Sequence, residues 1–339
     1  MELECPQEGD AQVATGVSPI ILGESLVMQE TLALARRLAP SGLSILLVGE
    51  TGTGKELLAQ EIHRVSARPG PLVDVNCAAL PREMVEALLF GHRRGSFTSA
   101  SSDAIGLVES AHRGTLFLDE LQSLAPEAQP KLLRVLESGE IRRIGETRKR
   151  VVRLRTIAAA QPSLGRVIGA GGFREDLLQR LAGVVIHLPA LHERRDDIPS
   201  LARHFGLMCG ARPTDAAIDV LVDHEWPGNV RELRSAIERA ACLAGSETIS
   251  ADTIRRALRL GTAQLVMLPR ERGTESSTVK TRLLRVIAEH NWNAAAIAQA
   301  LGVGRTTLFK ELKEYGISLR ELRTDTEQRV EHLSRQRAD

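Results

Sequence analysis

Short apolar runs alternate with helix-spaced apolar positions along the first half of the chain. The runs at 45–48, 72–76, 115–119, 154–159 and 184–188 read as strands. Between them apolar residues recur three and four apart, as in Leu57, Leu58, Ile62 and Val65, the period of a helix packed along one side. That alternation predicts a parallel sheet with helices on both faces over 18–189. From 190 to 260 the pattern is wholly helical, interrupted at Trp226-Pro227-Gly228-Asn229. Residues 261–278 mix Pro, Gly, Ser and charge as linkers do. Further helical periods follow within 279–318: Leu283, Leu284 and Ile287; then Ala294, Ile297, Ala298 and Leu301; then Leu308 and Leu312. A polar arm, 1–17, and a charged tail, 319–339, are expected at the ends. The predicted fold class is α/β with a smaller helical subdomain and a C-terminal all-α unit.

The first apolar run feeds Gly49-Glu50-Thr51-Gly52-Thr53-Gly54-Lys55-Glu56, and a helix follows at once. Strand, glycine-rich loop and helix are the setting of a phosphate-binding loop. Its glycines let successive backbone N–H groups turn toward a β-phosphate, and the helix N-terminus adds positive potential. Lys55 would reach the β/γ oxygens. The alternative is a flexible turn between strand and helix. The position after the lysine, where Ser or Thr is usual as a Mg²⁺ ligand, holds Glu56.

A second signal is Gly114-Thr115-Leu116-Phe117-Leu118-Asp119-Glu120, an apolar strand ending in two adjacent carboxylates. Asp119 can hold Mg²⁺ or its water ligands, and Glu120 can polarise an attacking water. By itself such a run is as often a strand meeting a surface turn; downstream of a phosphate loop it points to ATP hydrolysis.

Composition adds boundaries. Charged residues make up 26% of the 339, hydrophobic ones 43%, and the formal net charge is +1, the balance of an ordinary soluble protein. Aromatic residues at 3% argue against stacking surfaces for single-stranded nucleic acid. Cys5, Cys77, Cys209 and Cys242 have neither metal-ligand nor paired spacing, which fits a reduced cytosol. No apolar run approaches a membrane span, and the acidic start Met1-Glu2-Leu3-Glu4 is unlike a signal peptide. A cytoplasmic location is expected.

The motifs Gly49-to-Glu56, Leu89-Phe90-Gly91-His92, Gly114-to-Glu120, Phe173-Arg174-Glu175-Asp176-Leu177 and Trp226-Pro227-Gly228-Asn229-Val230-Arg231-Glu232-Leu233 stand in one order. Together they resemble the bacterial enhancer-binding proteins, the AAA+ activators of sigma-54 RNA polymerase, over about residues 18–318. The resemblance makes 18–189 the α/β nucleotide-binding subdomain and 190–260 the helical lid, and makes Glu56 a family habit. It implies that Asn76 holds the catalytic Glu120 away from water until the right moment. It implies that Arg174 and Arg180 reach the γ-phosphate of a neighbouring subunit, where arginines stabilise the transition state, and that Arg231 senses nucleotide from the lid.

Two departures from the family pattern bear on activity. Where Ala-Ala-Thr-Asn is usual, this chain has Ala158-Ala159-Ala160-Gln161; Gln161 is expected to bond toward the γ-phosphate with altered geometry and slower hydrolysis. The loop that engages sigma-54 usually reads Gly-Ala-Phe-Thr-Gly-Ala; here it is Gly95-Ser96-Phe97-Thr98-Ser99-Ala100. Phe97 and Thr98 are retained, while Ser99 loses the glycine's easy access to positive φ, on the order of 1 kcal/mol if that conformation is needed.

In 279–318, Leu301-Gly302-Val303-Gly304-Arg305-Thr306-Thr307 supplies a tight turn between the last two helical periods, the geometry of a helix-turn-helix. Lys280, Arg282, Arg285, Arg305, Lys310 and Lys313 outnumber Glu289, Glu311 and Glu314, so the unit is locally basic. It resembles the Fis-type DNA-binding domain of the same family. With Leu308 and Leu312 inward, the other face offers Arg305, Thr306, Thr307, Phe309, Lys310 and Lys313 to DNA. Arg305 or Lys310 suits guanine edges, Phe309 a thymine methyl, and Lys313 phosphate.

The expected function is an ATP-dependent activator. It binds upstream double-stranded DNA as dimers, assembles into a hexamer-like ring (alone or with a related subunit), and remodels sigma-54 polymerase into the open complex. Since only residues 1–17 precede the ATPase, a separate regulatory protein, expression level, or ATP and DNA themselves are expected to control it. The altered 95–100 loop leaves open a DNA-binding regulator that keeps ATP-controlled assembly without acting through sigma-54. A remodeller of another protein, using its helical end for docking, is the third reading.

Overall fold

The computed structural model describes residues 21–97 and 100–261. The arm, Thr98, Ser99 and nearly all of the linker lie outside the described residues. So do the expected helix-turn-helix with Arg305, Thr306, Thr307, Phe309, Lys310 and Lys313, and the tail.

Five parallel strands form the main sheet: β1 (Ile45–Val48), β2 (Leu72–Asn76), β3 (Thr115–Asp119), β4 (Arg155–Ala160) and β5 (Val184–His187). They lie in the order β2-β3-β4-β1-β5, every neighbouring pair parallel. The pleat sends successive side chains to opposite faces. Ile45 and Leu47 therefore join Phe117, Ile157 and Ala159 on one face, beneath α1 (Leu26–Leu38) and α2 (Lys55–Val65). Leu46 joins Leu116, Leu118, Ala158 and Ala160 on the other face. There lie α3 (Val85–Phe90), α4 (Leu107–Ser110), α5 (Gln129–Ser138), α6 (Leu164–Gly169) and α7 (Glu175–Leu181). Burial of all six residues of β4 is what a central strand covered on both faces requires.

Two boundaries differ from the sequence reading. β4 covers 155–160 rather than 154–159, and β5 ends at His187 rather than 188. Leu188 still donates to the Val48 carbonyl at 2.8 Å, so the shift is one of strand-end definition.

The helical subdomain is built from α8 (Ile198–Met208), α9 (Asp215–Val222), α10 (Asn229–Ala244) and α11 (Ala251–Arg259). Its core centres on Trp226, fully buried with Leu233, Ile237 and Ile254. The indole N–H donates to the Leu221 carbonyl at 2.7 Å. Trp226 and Asn229 adopt positive φ, 51° and 55°, which turns the chain sharply between α9 and α10. A short parallel pairing of Arg212–Pro213 with Thr248–Ile249 interrupts the all-helical expectation; two residues are too few for a period.

One charged side chain holds the lower edge of the sheet. Arg155, 2% exposed, donates to the carbonyls of Leu38, Ala39 and Leu43. The first two close the C-terminus of α1, where helix carbonyls otherwise lack partners, and the third lies in the segment leading to β1. Burial, reinforced by the charge of Arg68, pulls its pKa down to about 10. Arg155→Ala is expected to cost about 3 kcal/mol or more, read as a lowered urea midpoint at unchanged slope.

Candidate nucleotide site

β1 delivers the chain into a loop of unusual backbone shape: Gly52 has φ 80° and Gly54 φ 105°. A side chain at Gly52 would collide with the Gly228 carbonyl, while nothing lies within 4 Å of a Cβ at Gly54. The loop is thus pressed against α10 on one side and open on the other. All its carbonyls are engaged. Those of Gly49 and Glu50 each accept from Lys55 Nζ at 2.9 Å. Those of Thr51, Gly52, Thr53 and Gly54 accept from Asn229 Nδ2, Val230 N–H, Arg194 Nη2 and Leu58 N–H, at 3.1, 3.0, 2.8 and 3.1 Å. With the oxygens taken, the loop's N–H groups are what it can present to an anion.

Lys55 begins α2 and is 7% exposed. Burial lowers its pKa, against the opposing pull of Asp119 and Glu120. β3 ends at Asp119, in register with Asn76 of β2. Asp119 Oδ1 accepts the Glu120 N–H at 2.8 Å, and Glu120 has φ 52°, a conformation that non-glycine residues hold chiefly where surroundings compel it. Lys55, Glu56, Asp119, Glu120, Phe205 and Arg231 share a cleft of about 310 Å³ with the loop. Strand ends and lid therefore bring together the loop, both carboxylates and the lid arginine. Asn76 ends β2 and Gln161 follows β4. The Asn76 Oδ1 accepts the Ala78 N–H at 2.9 Å, whereas Gln161 Nε2 donates to Glu120 Oε2 at 3.1 Å.

Sequence reasoning missed the residues that fasten the lid. Asn229, expected only as part of the Trp226–Leu233 motif and its helix break, is fully buried. Besides Thr51, it donates to Glu50 Oε2 at 3.0 Å and accepts the Leu191 N–H at 2.7 Å. The run Pro227-Gly228-Asn229, ending in a residue that tolerates left-handed backbone better than most, is the one sequence signal for it. Arg194 was not singled out at all; its partner Asp197, wholly buried, accepts from the N–H groups of Glu24 and Ser25 and from the Ser25 hydroxyl.

Comparison with known proteins places this site. A family model described as the sigma-54 interaction domain matches residues 21–187, and one described as an AAA+ ATPase lid domain matches 192–271. The transcriptional regulatory protein ZraR of Salmonella typhimurium is 39% identical, over 86% of this chain and 68% of its own. The chain belongs to the sigma-54-dependent transcriptional activators. The transcriptional regulator NtrC of Azospirillum brasilense is 38% identical over 91% of this chain and 72% of its own. A crystal structure of NtrX from Brucella abortus in complex with ATP superposes with a TM-score of 0.64, at 33% identity, covering 88% of this chain and 70% of that one. The α/β and lid parts of this activator are those of an AAA+ ATPase.

Other predicted residues of this activator lie apart from the cleft. Arg174 precedes α7 and pairs with Asp176 at 2.7 Å. Arg180, in its last turn, donates to the Leu136 carbonyl. The loop expected to engage sigma-54 rises from a short hairpin, Gly91–His92 against Ala104–Ile105. Gly95 N–H bonds the Ala100 carbonyl at 2.9 Å, and Phe97 packs edge-on against His92 at 4.8 Å between ring centroids. Among the described residues no helix is long and apolar enough to cross a membrane.

Glu56, Asp119 and Glu120 make one side of the cleft acidic, and among the described residues no group of three or more such side chains is placed to ligate a metal ion. Asp74, on β2, titrates at about 6 because its carboxyl is desolvated and faces Glu56 and Asp119. A carboxyl whose folded pKa exceeds its unfolded value of 3.8 binds its proton more tightly when folded. Its ionisation therefore costs stability, fully so above about pH 6, and the cost fades as pH falls through the window toward 4. Asp74→Asn should raise the melting temperature at pH 7.5 and leave it nearly unchanged at pH 4, measured without metal.

Proposed function

We propose that the protein hydrolyses ATP with Mg²⁺ in a self-assembled ring and uses the cycle to open promoters bound by sigma-54 RNA polymerase. The observation that carries this reading is the convergence of Lys55, Asp119 and Glu120 on one cleft roofed by Arg231. Asp119 would hold the cation, with Asp74 and Glu56 adding negative potential. Mg²⁺ there would neutralise charge on the phosphate oxygens. The loop N–H groups and Lys55 bind the β- and γ-phosphates; for this Lys55 exchanges the carbonyls of Gly49 and Glu50 for phosphate oxygens. Glu120 accepts the proton of the attacking water as the new O–P bond forms and the bond from the γ-phosphorus to the bridging oxygen breaks, leaving ADP.

Arg174 and Arg180 stand outside their own chain's cleft, which supports a role in a neighbour's site. Phe97 lies folded against His92, and we assign it, with Gly95, Ser96, Thr98, Ser99 and Ala100, to contact with sigma-54 when the loop lifts. Residues 279–318 bind upstream DNA. Arg305 carries base preference there, with Thr306, Thr307, Phe309, Lys310 and Lys313 beside it.

Purified protein mixed with ATP, sigma-54 polymerase and a supercoiled promoter carrying candidate upstream sites tests the reading. Open complexes should form with ATP and vanish for Glu120→Gln. Tight DNA binding without opening, and without trapping of sigma-54 by a transition-state nucleotide analogue, would instead mark a DNA-binding regulator independent of sigma-54. Ser99→Gly should leave promoter opening unchanged or raise it; a loss would show that the loop does not use a glycine-like conformation there.

A further inference from the structure

Glu120 is held by an arrangement that the family resemblance does not supply. Two carboxamides converge on the same oxygen, Oε2: that of Gln161 at 3.1 Å and that of Gln122. The pair is joined, because the Gln161 N–H donates to Gln122 Oε1 at 3.4 Å. Among the described residues no hydrogen bond links Asn76 to Glu120; its Oδ1 closes a local turn on Ala78. The second oxygen, Oε1, accepts from neither glutamine.

We propose that Gln161 and Gln122 form an amide clamp that positions Glu120 for catalysis, a role distinct from the hold away from water expected of Asn76. The inference rests on the reading of Glu120 as the base that takes the water's proton. Its geometry follows from side-chain length. Gln161 is one methylene longer than the asparagine usual at its position, and shortening it would withdraw the amide by about 1.5 Å, to about 4.6 Å from Oε2, beyond hydrogen-bond reach. Anchoring one carboxylate oxygen with two N–H donors fixes the plane of the group and leaves the other oxygen to accept from water. It also explains how Glu120 keeps its left-handed backbone, φ 52°: the clamp, with the Asp119 Oδ1 bond to its N–H, over-determines that conformation. Gln161 and Gln122 are thus positioning residues, acting through Glu120.

Steady-state hydrolysis by the full-length protein, with kcat and KM separated, tests the clamp. Gln161→Asn and Gln122→Ala should each lower kcat about 10-fold, as misplacement of a catalytic group does, with KM for ATP and affinity for a fluorescent ATP analogue within about two-fold. In a Glu120→Gln background, Gln161→Asn should add nothing, since residues acting as one unit are not additive; a merely structural role would lower the residual rate again. Unchanged or raised kcat for Gln161→Asn, beside a dead Glu120→Gln, would overturn the clamp alone. Wild-type turnover by Glu120→Gln would remove the base assignment and the clamp with it.

Discussion

The shape of the phosphate loop depends on where its carbonyl oxygens go. A loop built from Gly49, Gly52 and Gly54 has few side chains with which to fix itself, and glycine backbone is costly to order. Here the carbonyls from Gly49 to Gly54 are gripped by Lys55 from within and by Asn229, Val230 and Arg194 from the lid side, with α2 taking the last. The loop's shape is thereby fixed through its carbonyls. Because Asn229 opens α10, and because Arg194 and Asp197 lie just before α8, the same bonds set the lid's seat on the α/β layer. Loop shape and lid position are thus tied together by hydrogen bonds that run from Asn229, Val230 and Arg194 to the loop.

That coupling has an electrostatic counterpart. Lys55 sits buried and partnered only by neutral carbonyls, while Asp119 and Glu120 face it across the cleft and Asp74 and Glu56 crowd the acidic side. The site thus sets a desolvated cation beside clustered carboxylates, whose mutual repulsion and burial raise the Asp74 pKa. The fold supports that arrangement with burial elsewhere: both faces of the sheet are packed, and Trp226 fixes the lid core.

The five strands, the phosphate loop and the Asp119-Glu120 pair were legible in the sequence, because each is a local pattern: an apolar run, a glycine spacing, a strand ending in acids. The lid was legible as helical and the Trp226 break as a turn, for the same reason. Strand ends moved by a residue, and the two-residue pairing beside α8 carried no period to detect.

The amino-acid sequence by itself determined the main elements and the α/β architecture, and set out the glycine loop and acidic pair of the candidate site, since propensity, period and motif spacing act over a few neighbouring residues. Only the tertiary structure decided the strand order, the fastening of the lid by Asn229 and Arg194, and the partners of Glu120. Those contacts join segments far apart in the chain: Asn229 lies 179 residues from Glu50, and Gln161 lies 41 from Glu120. Which amide reaches which oxygen is settled by how the strands are laid side by side and by the length of each side chain, and neither is written in any local window of sequence.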